Sequence, residues 1–281
     1  MARLGDEGDR MTASDRPRSK FPLQLDRLAG TATSTPNALL RPQRDVAAAH
    51  ADARRSNVPS GHGLDSADVR RRMADRLREG GIGEPLVLAA FAHVPRHLFV
   101  DTALATQAYE DTSLPIGHGQ TISKPSVVAR MLELLFAGTN ARRLGNLGAV
   151  LEIGTGCGYQ AALLCQMASR VVSVERLKSL HEKARASLEA MRASRLRLVY
   201  GDGMLGHAPG APYDSIVSAA GGKVIPEQWL AQLAVGGRLV SPTEQGNGGQ
   251  ALVVVDRHEH GYERRVHEGV RFVPLKSGLA G

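Results

Sequence analysis

The chain has 281 residues, 42% of them hydrophobic, and a formal net charge of +7. This is enough apolar sequence for a sizeable core, whereas no run approaches the ~20 apolar residues of a membrane-spanning helix and no compact apolar segment near the start resembles a secretory signal. Its two cysteines, Cys157 and Cys165, are too few for a disulfide framework or a zinc site, so we expect a cytoplasmic protein with reduced thiols and no bound metal.

Residues 1–62 are predicted to form a disordered basic extension. They mix Arg, Asp, Ala, Ser, Thr and Pro without a helical or strand period. They contain ten Lys or Arg and seven Asp or Glu, so the extension carries +3 of the net charge. We interpret it as a solubilising tail, with a nucleic-acid-binding arm or a cleaved targeting peptide as the alternatives. The folded domain then spans residues 63–281.

The first part of this domain, residues 63–147, is predicted to be mainly helical. Its helices are expected to start at Asp65 or Ser66, at Pro85 and at Pro125. Gly80-Gly81 ends the first of them, and the second ends near Ala92. The third carries an apolar stripe made of Val128, Met131, Leu132 and Leu135. Residues 113–124 are predicted to be a loop.

From Gly148 onwards, short apolar runs alternate with helical stretches. The predicted strands are Val150–Ile153, Val171–Glu175, Arg197–Tyr200, Ser215–Ala219, Arg238–Pro242, Ala251–Asp256 and Tyr262–Val273. The predicted helices between them are Ala161–Ala168, Leu177–Met191 and Glu227–Leu233. This alternation is typical of an α/β fold, a doubly wound, mostly parallel seven-stranded sheet. The last strand is too close to its predecessor for a crossover helix, so it is expected to be an antiparallel closing strand.

A glycine-dense turn directly after the first predicted strand is the strongest local signal. It contains Gly154, Gly156 and Gly158, which allow a sharp turn and a close approach of the backbone to a ligand at the carboxyl edge of the sheet. The spacing differs from the G-x-G-x-x-G of dinucleotide-binding folds. The preceding acid, Glu152, favours a cofactor with an amino group and a sulfonium over one with phosphates.

Two further acids follow the next two predicted strands. Glu175 can accept hydrogen bonds from both hydroxyls of a ribose, and Asp202 with Gly203 can border an adenine ring. Taken singly, glycines mark any turn and a glutamate at a strand end is more often solvated. Because the three features follow in order at carboxyl ends of predicted strands, we interpret them together as an adenosine site.

The connection before Pro125 carries a possible receptor for an anion. Ser123 lies just before the start of a helix, where free backbone N–H groups and the positive end of the helix dipole can receive a carboxylate. The alternative is that Ser123 only caps the helix. Residue chemistry alone leaves both interpretations open.

These segments resemble the protein-L-isoaspartate O-methyltransferase family, which methylates isoaspartyl residues of damaged proteins with S-adenosylmethionine. The resemblance covers about Val69 to Leu275, and its most specific motifs are Val94–His97, Gly119–Ser123 and Arg271–Leu275. Its other hallmarks are Phe99-Val100, Ala108-Tyr109, Leu114–Gly117, Leu151–Gly156, Gly158–Ala161, Gly201–Gly203, Ala219-Ala220 and Gly236–Leu239.

The resemblance implies a Rossmann-like methyltransferase fold, with residues 63–147 on the substrate side and residues 148–281 as the cofactor-binding sheet. It implies S-adenosylmethionine as the cofactor and isoaspartyl proteins and peptides as substrates. We expect a monomer without a nucleic-acid or membrane partner.

Site residues follow from the same motifs. Ser123 matches the catalytic serine of the family, which contacts the substrate carboxylate. The cofactor-binding residues are expected to be Ile122, Ser123, Lys124, Pro125, Glu152, Gly154, Gly156, Gly158, Glu175, Arg176, Asp202, Gly203 and Gln250. Gln250 is the least secure match, because the loop before it varies in length.

The chain departs from the family pattern at three places. Cys157 stands where serine is usual, His207 stands where tryptophan is usual, and Gly221-Gly222 follows the alanine pair. These changes keep open a methyltransferase that uses the same cofactor but methylates another carboxylate or a small molecule.

The histidines are not assigned catalytic or metal-binding roles. An isoaspartyl α-carboxyl group, with a pKa near 3.5, is already ionised at neutral pH, so His118 is interpreted as a loop residue and not as a general base. His258, His260 and His267 are interpreted as surface residues, because no cysteine or acid accompanies them at metal-ligand spacing.

Overall fold

The computed structural model describes residues 67–191, 193–246 and 248–280. The expected extension, residues 1–62, and the expected caps Asp65 and Ser66 lie outside these ranges. The helices are α1 (Ala67–Glu79), α2 (Pro85–His93), α3 (Pro125–Phe136), α4 (Thr139–Leu144), α5 (Tyr159–Met167), α6 (Lys178–Ala190) and α7 (Glu227–Gln232). The strands are β1 (Leu114–Gly117), β2 (Gln120–Ile122), β3 (Ala149–Ile153), β4 (Arg170–Glu175), β5 (Leu196–Tyr200), β6 (Tyr213–Ser218), β7 (Leu233–Glu244), β8 (Gln250–His258) and β9 (Gly261–Val270).

The helical first part has the expected organisation. Helix α1 buries Met73 and Leu77, and it is followed by Gly81 with a left-handed φ of 99°. Helix α3 starts at Pro125 and buries all four residues of its predicted stripe. Helix α4 was not predicted, because its six residues are too few to show a helical period.

The predicted loop at residues 113–124 is wrong over most of its length, because this segment forms a β-hairpin. Strands β1 and β2 pair antiparallel, with Leu114 opposite Ile122. Gly117, His118 and Gly119 make the turn and have positive φ angles of 101°, 53° and 67°. Burial alternates along β1, so the period of a half-buried strand was present in four residues but was too short to be recognised.

The main sheet has the strand order β5-β4-β3-β6-β7-β8-β9. Strands β3 to β7 run parallel to their neighbours, β8 is antiparallel to β7, and β9 is antiparallel to β8. The prediction of a doubly wound, mostly parallel, seven-stranded sheet is therefore confirmed. The chain moves outward from β3 to β4 and β5 and returns through β6 on the other side of β3. The switch point, where such sheets bind ligands, lies at the carboxyl ends of β3 and β6.

The closing strand is shorter than predicted. It ends at Val270, because the backbone of Phe272 pairs with a side chain instead of a strand: its N–H donates to Gln250 Oε1 at 2.7 Å. The following residues, 271–280, which we call the C-terminal strap, cross the carboxyl edge of the sheet. Gly221 N donates to Val273 O at 2.8 Å, and Ala280 N donates to Arg176 O at 3.0 Å.

Both faces of the sheet are covered by apolar residues. One core packs α2, α3 and α5 against the sheet, and the other is centred on Tyr213 and Trp229, both fully buried. Trp229 Nε1 donates to Gly203 O at 2.8 Å, so this second core also fixes the backbone at the edge of the sheet. In the described part of the chain, no helix is both long and apolar enough to cross a bilayer.

Candidate active site

A cavity of about 320 Å³ opens at the switch point of the sheet. A volume of this size is in the range of small-molecule sites. Its wall combines the β1–β2 hairpin, the glycine turn, the end of β4, Gly203, the end of β6 and the C-terminal strap. The sequence-predicted residues in this wall are Ile122, Ser123, Gly154, Gly156, Glu175, Arg176 and Gly203. The others, Lys124, Pro125, Glu152, Gly158, Asp202 and Gln250, are not part of it.

The three glycines of the turn have different structural roles. All have left-handed φ angles, 89° at Gly154, 56° at Gly156 and 93° at Gly158. Gly156 faces the hairpin, since a Cβ there would lie 3.2 Å from Ile116 Cδ1. At Gly158 a Cβ would lie 2.7 Å from Leu188 Cδ1 of α6. Gly158 therefore makes room for a helix and does not line the cavity.

Glu175 is held in place at the end of β4. Its side chain is buried, Oε2 accepts a hydrogen bond from Gly156 N at 2.8 Å, and Oε1 accepts one from Leu177 N at 2.9 Å. Each carboxylate oxygen has a second acceptor site. A pair of fixed acceptors on the cavity wall suits the two vicinal hydroxyls of a ribose.

Glu152, which the sequence predicts beside a cofactor, is buried in β3 and is not part of the cavity wall. Strand β3 is buried on both faces, and the Glu152 side chain is fully buried opposite Ser173 of β4, whose Oγ donates to Glu152 Oε2 at 2.5 Å. Burial raises the pKa of Glu152 to about 8. The charge of Glu175 also raises this pKa, whereas the hydrogen bonds of Ser173 and Gln160 lower it. Burial therefore favours the protonated, uncharged form of this carboxyl group at neutral pH.

Two other predicted cofactor residues are engaged by the C-terminal strap. Arg176 Nε donates to Gly278 O at 2.8 Å. Asp202 accepts from Met204 N at 2.9 Å through Oδ1 and from Gly278 N at 2.6 Å through Oδ2. These side chains tie the strap to the ends of β4 and β5, and the strap in turn places Val273–Lys276 in the cavity wall.

Ser123 does not cap helix α3. The N-cap residue is Lys124, which makes no side-chain capping bond, and the carboxylate that caps the helix belongs to Asp111. Asp111 Oδ1 accepts from Ser126 N and Oδ2 accepts from Ser126 Oγ, both at 2.8 Å. This cap was not predictable from the sequence, because 15 residues separate Asp111 from Ser126. The N–H of Ser126 is thus already satisfied, and Ser123 lines the cavity.

A second space, which we call the acceptor groove, adjoins the cavity. It has a volume of about 710 Å³. Thr121, Ser123, Ala219 and Val273 line both spaces, so Ser123 lies at their junction. Lys124 and Gln250 line the groove and not the cavity, and Pro125 lines a third space beside it.

The departures from the family pattern differ in their closeness to the site. Cys157 is buried in the cavity wall, and burial raises the pKa of its thiol. His207 is outside the wall and bonds to Gln232, which accepts from its backbone N–H at 2.8 Å. At Gly221 a Cβ would lie 2.5 Å from Gln250 Nε2, so glycine there leaves room for the side chain that holds Phe272.

His118, which the sequence predicts to be an ordinary loop histidine, lines the cavity. Its Nε2 lies 2.8 Å from Ser179 Oγ at the start of α6. The contact links the tip of the hairpin to the far side of the cavity. Among the residues with described placement, no cluster of His, Cys, Asp or Glu could hold a metal ion.

Comparisons with known proteins agree with this geometry. Residues 68–280 match the family Protein-L-isoaspartate(D-aspartate) O-methyltransferase. A protein-L-isoaspartate O-methyltransferase of Methylibium petroleiphilum is 57% identical over 270 residues, which are 95% of this chain and 99% of the relative. One of Leptothrix cholodnii is 55% identical and covers 96% of this chain and 98% of its own.

Solved structures give the same fold. A protein-L-isoaspartate O-methyltransferase superposes with a TM-score of 0.66 at 26% identity and covers 75% of this chain and 67% of its own. A Plasmodium falciparum chain assigned to this family, in complex with S-adenosyl-L-homocysteine, gives a TM-score of 0.62 at 22% identity and covers 74% of this chain and 98% of its own.

Proposed function

The chain belongs to the protein-L-isoaspartate(D-aspartate) O-methyltransferase family, and we propose that it transfers a methyl group from S-adenosylmethionine to the α-carboxylate of L-isoaspartyl residues where the cavity meets the acceptor groove. The observation that carries the proposal is the position of Ser123, which lines both spaces, while Glu175 lines the cavity. The product is a methyl ester, which initiates repair of the damaged protein or peptide.

The cavity residues fit S-adenosylmethionine. Glu175 offers two fixed acceptors to the ribose hydroxyls, and Gly203 offers backbone at the adenine edge. Glycine at position 154 adds no side-chain atoms to the cavity wall, and a Cβ there would lie 3.6 Å from Ala219 Cβ, another residue of this wall. When bound, S-adenosylmethionine supplies a methyl group on a positively charged sulfonium.

The protein's contribution to the transfer is mainly alignment. The acceptor carboxylate is ionised at neutral pH and needs no general base. The Ser123 hydroxyl donates to this carboxylate and holds one of its oxygens in line with the methyl group, and such positioning is worth several kcal/mol. The hairpin and the C-terminal strap form part of the cavity wall, and a site with little water favours a reaction in which opposite charges neutralise each other.

The setting in which the enzyme works is also part of the proposal. Cys157 and Cys165 are both free and buried, which is compatible with a reducing cytoplasm. We propose a cytoplasmic enzyme that acts as a monomer, without nucleic acid as a partner.

A paired-peptide assay tests the function. The enzyme is incubated with labelled S-adenosylmethionine and either an isoaspartyl peptide or its aspartyl twin, and transfer of label is measured. We expect labelling of the isoaspartyl peptide alone. Equal labelling of both peptides, or of neither, would point to a different methyl acceptor and refute the proposal.

Replacing Ser123 by alanine tests the alignment mechanism. We expect kcat/KM for the isoaspartyl peptide to fall by roughly 10- to 100-fold, because one hydrogen bond to a charged group is lost, while cofactor affinity stays the same. Ser126→Ala is the matched control: it removes a serine hydroxyl three residues away that bonds to Asp111, so it lowers stability but not turnover. Similar kinetics for the two variants would refute the role of Ser123.

A further inference from the structure

Arg96, from the motif Val94–His97, is buried without an acidic partner. It lies in a short 3-10 helix after α2, and its side chain is completely inaccessible to solvent. An arginine keeps its proton in proteins. The structure therefore contains a buried cation in the helical part of the domain.

The contacts of this guanidinium lead to the acceptor side of the site. Nη2 donates to Ser123 O at 2.8 Å and to Thr112 O at 3.4 Å. Cζ lies 4.9 Å from the centre of the Tyr159 ring, within the range of a cation–π contact. Nε and Nη1 have no hydrogen-bond partner among the described residues.

A partly buried arginine, Arg238, shows what is missing at Arg96. Arg238 of β7 donates from Nε and Nη2 to the two carboxylate oxygens of Asp256, at 2.6 and 2.7 Å. In the described part of the chain, no carboxylate forms such an ion pair with Arg96. Burial lowers the pKa of Arg96, which reflects the cost of an unpaired buried charge, although Tyr159, Cys157 and Asp111 oppose the shift. A cost of this kind is recovered if an anion binds nearby.

We propose that Arg96 is a positioning residue for the methyl acceptor: it fixes the Ser123 backbone and gives the junction of cavity and groove a positive potential that selects an ionised carboxylate over a neutral group. This inference rests on the proposed function. Arg96 acts through Ser123, by its hydrogen bond to the Ser123 carbonyl oxygen, and through its positive charge.

The test compares two isoaspartyl peptides that differ only at the acceptor group, one with the α-carboxylate and one with an α-carboxamide. Their dissociation constants are measured calorimetrically with S-adenosylhomocysteine present. The proteins are the wild type, Arg96→Met, Arg96→Lys and the matched control Arg238→Met. The ratio of the two constants does not depend on the folded fraction of a preparation, so it separates loss of selectivity from loss of structure.

We expect Arg96→Met to lower the preference for the carboxylate by about tenfold, as removal of a nearby complementary charge does, whereas Arg238→Met leaves the ratio unchanged. An unchanged ratio in Arg96→Met would overturn the inference. If Arg96→Met does not fold, Arg96→Lys decides: we expect a retained ratio with a reduced kcat, and a lost ratio or an unaltered kcat would overturn it. A wild type that does not methylate the carboxylate peptide would refute the proposed function itself.

Discussion

Replacing Glu152 by glutamine is expected to stabilise the protein at neutral pH. Glutamine has the shape of the protonated acid and can still accept the hydrogen bond of Ser173, but it cannot ionise. The wild-type carboxyl group is ionised in the unfolded chain at pH 7 and mostly protonated in the folded protein, because burial raises its pKa from 4.5 to about 8. Folding at pH 7 must therefore bind a proton.

The magnitude follows from the two pKa values. Below pH 4.5 the group is protonated in both states, and its contribution to stability is fully present. As the pH rises from 4.5 towards 8, that contribution is lost by about 1.4 kcal/mol per pH unit. At pH 7 the difference of 2.5 pH units from 4.5 corresponds to about 3 kcal/mol, a large part of the stability of a typical domain.

Urea unfolding at pH 5, 6, 7 and 8 measures this effect. The free energy of unfolding of Glu152→Gln minus that of the wild type should grow steadily across the series and level off above pH 8. Glu189→Gln, which removes an exposed glutamate of α6, is the control for the change in net charge. A difference that stays constant with pH would show that Glu152 is not held protonated. Cofactor affinity should be unaltered in Glu152→Gln, and its loss would mean that the charge acts on the cofactor after all.

One further substitution tests the cofactor side of the site, and a pair of glycine substitutions tests the packing behind it. Glu175→Gln should weaken S-adenosylhomocysteine roughly tenfold or more in calorimetry, because a charged acceptor is replaced by a mixed donor and acceptor, and an unchanged dissociation constant would contradict the ribose role. Gly158→Ala should lower stability by about 2–4 kcal/mol, because the alanine must adopt the left-handed φ of 93° and its Cβ would clash with Leu188 Cδ1. Gly119 also has a left-handed φ, but a Cβ there would have nothing within 4 Å, so Gly119→Ala should cost only about 1 kcal/mol. Thermal unfolding of the two glycine variants and the wild type measures both losses. Equal losses in the two glycine variants would refute the packing argument.

The sheet was predictable from the sequence because its signals are local. Each buried parallel strand is a short run of Val, Ile and Leu, and the periods of the long helices are visible within a few turns. Glu175 and the glycine turn could be placed together for the same reason, since each directly follows a strand whose carboxyl end meets the same edge.

The remaining features depend on contacts between distant residues. Asp111 caps α3 across 15 positions, and Asp202 binds Gly278 across 76. Nothing in the composition around Asp202 distinguishes a carboxylate that binds backbone from one that binds adenine. The burial of Glu152 behind the cavity wall was not predictable for a related reason: when both faces of a strand are buried, the sequence pattern does not show which face is turned towards the ligand.

The C-terminal strap determines when the binding site can come into existence during synthesis. It follows every strand of the main sheet in the chain, yet Val273–Lys276 complete the wall of the cavity. A nascent chain that has emerged from the ribosome only as far as β9 has all the strands of the sheet, but it has no closed compartment for the nucleoside. The wall of this cavity is therefore complete only after residues 273–276 have been synthesised.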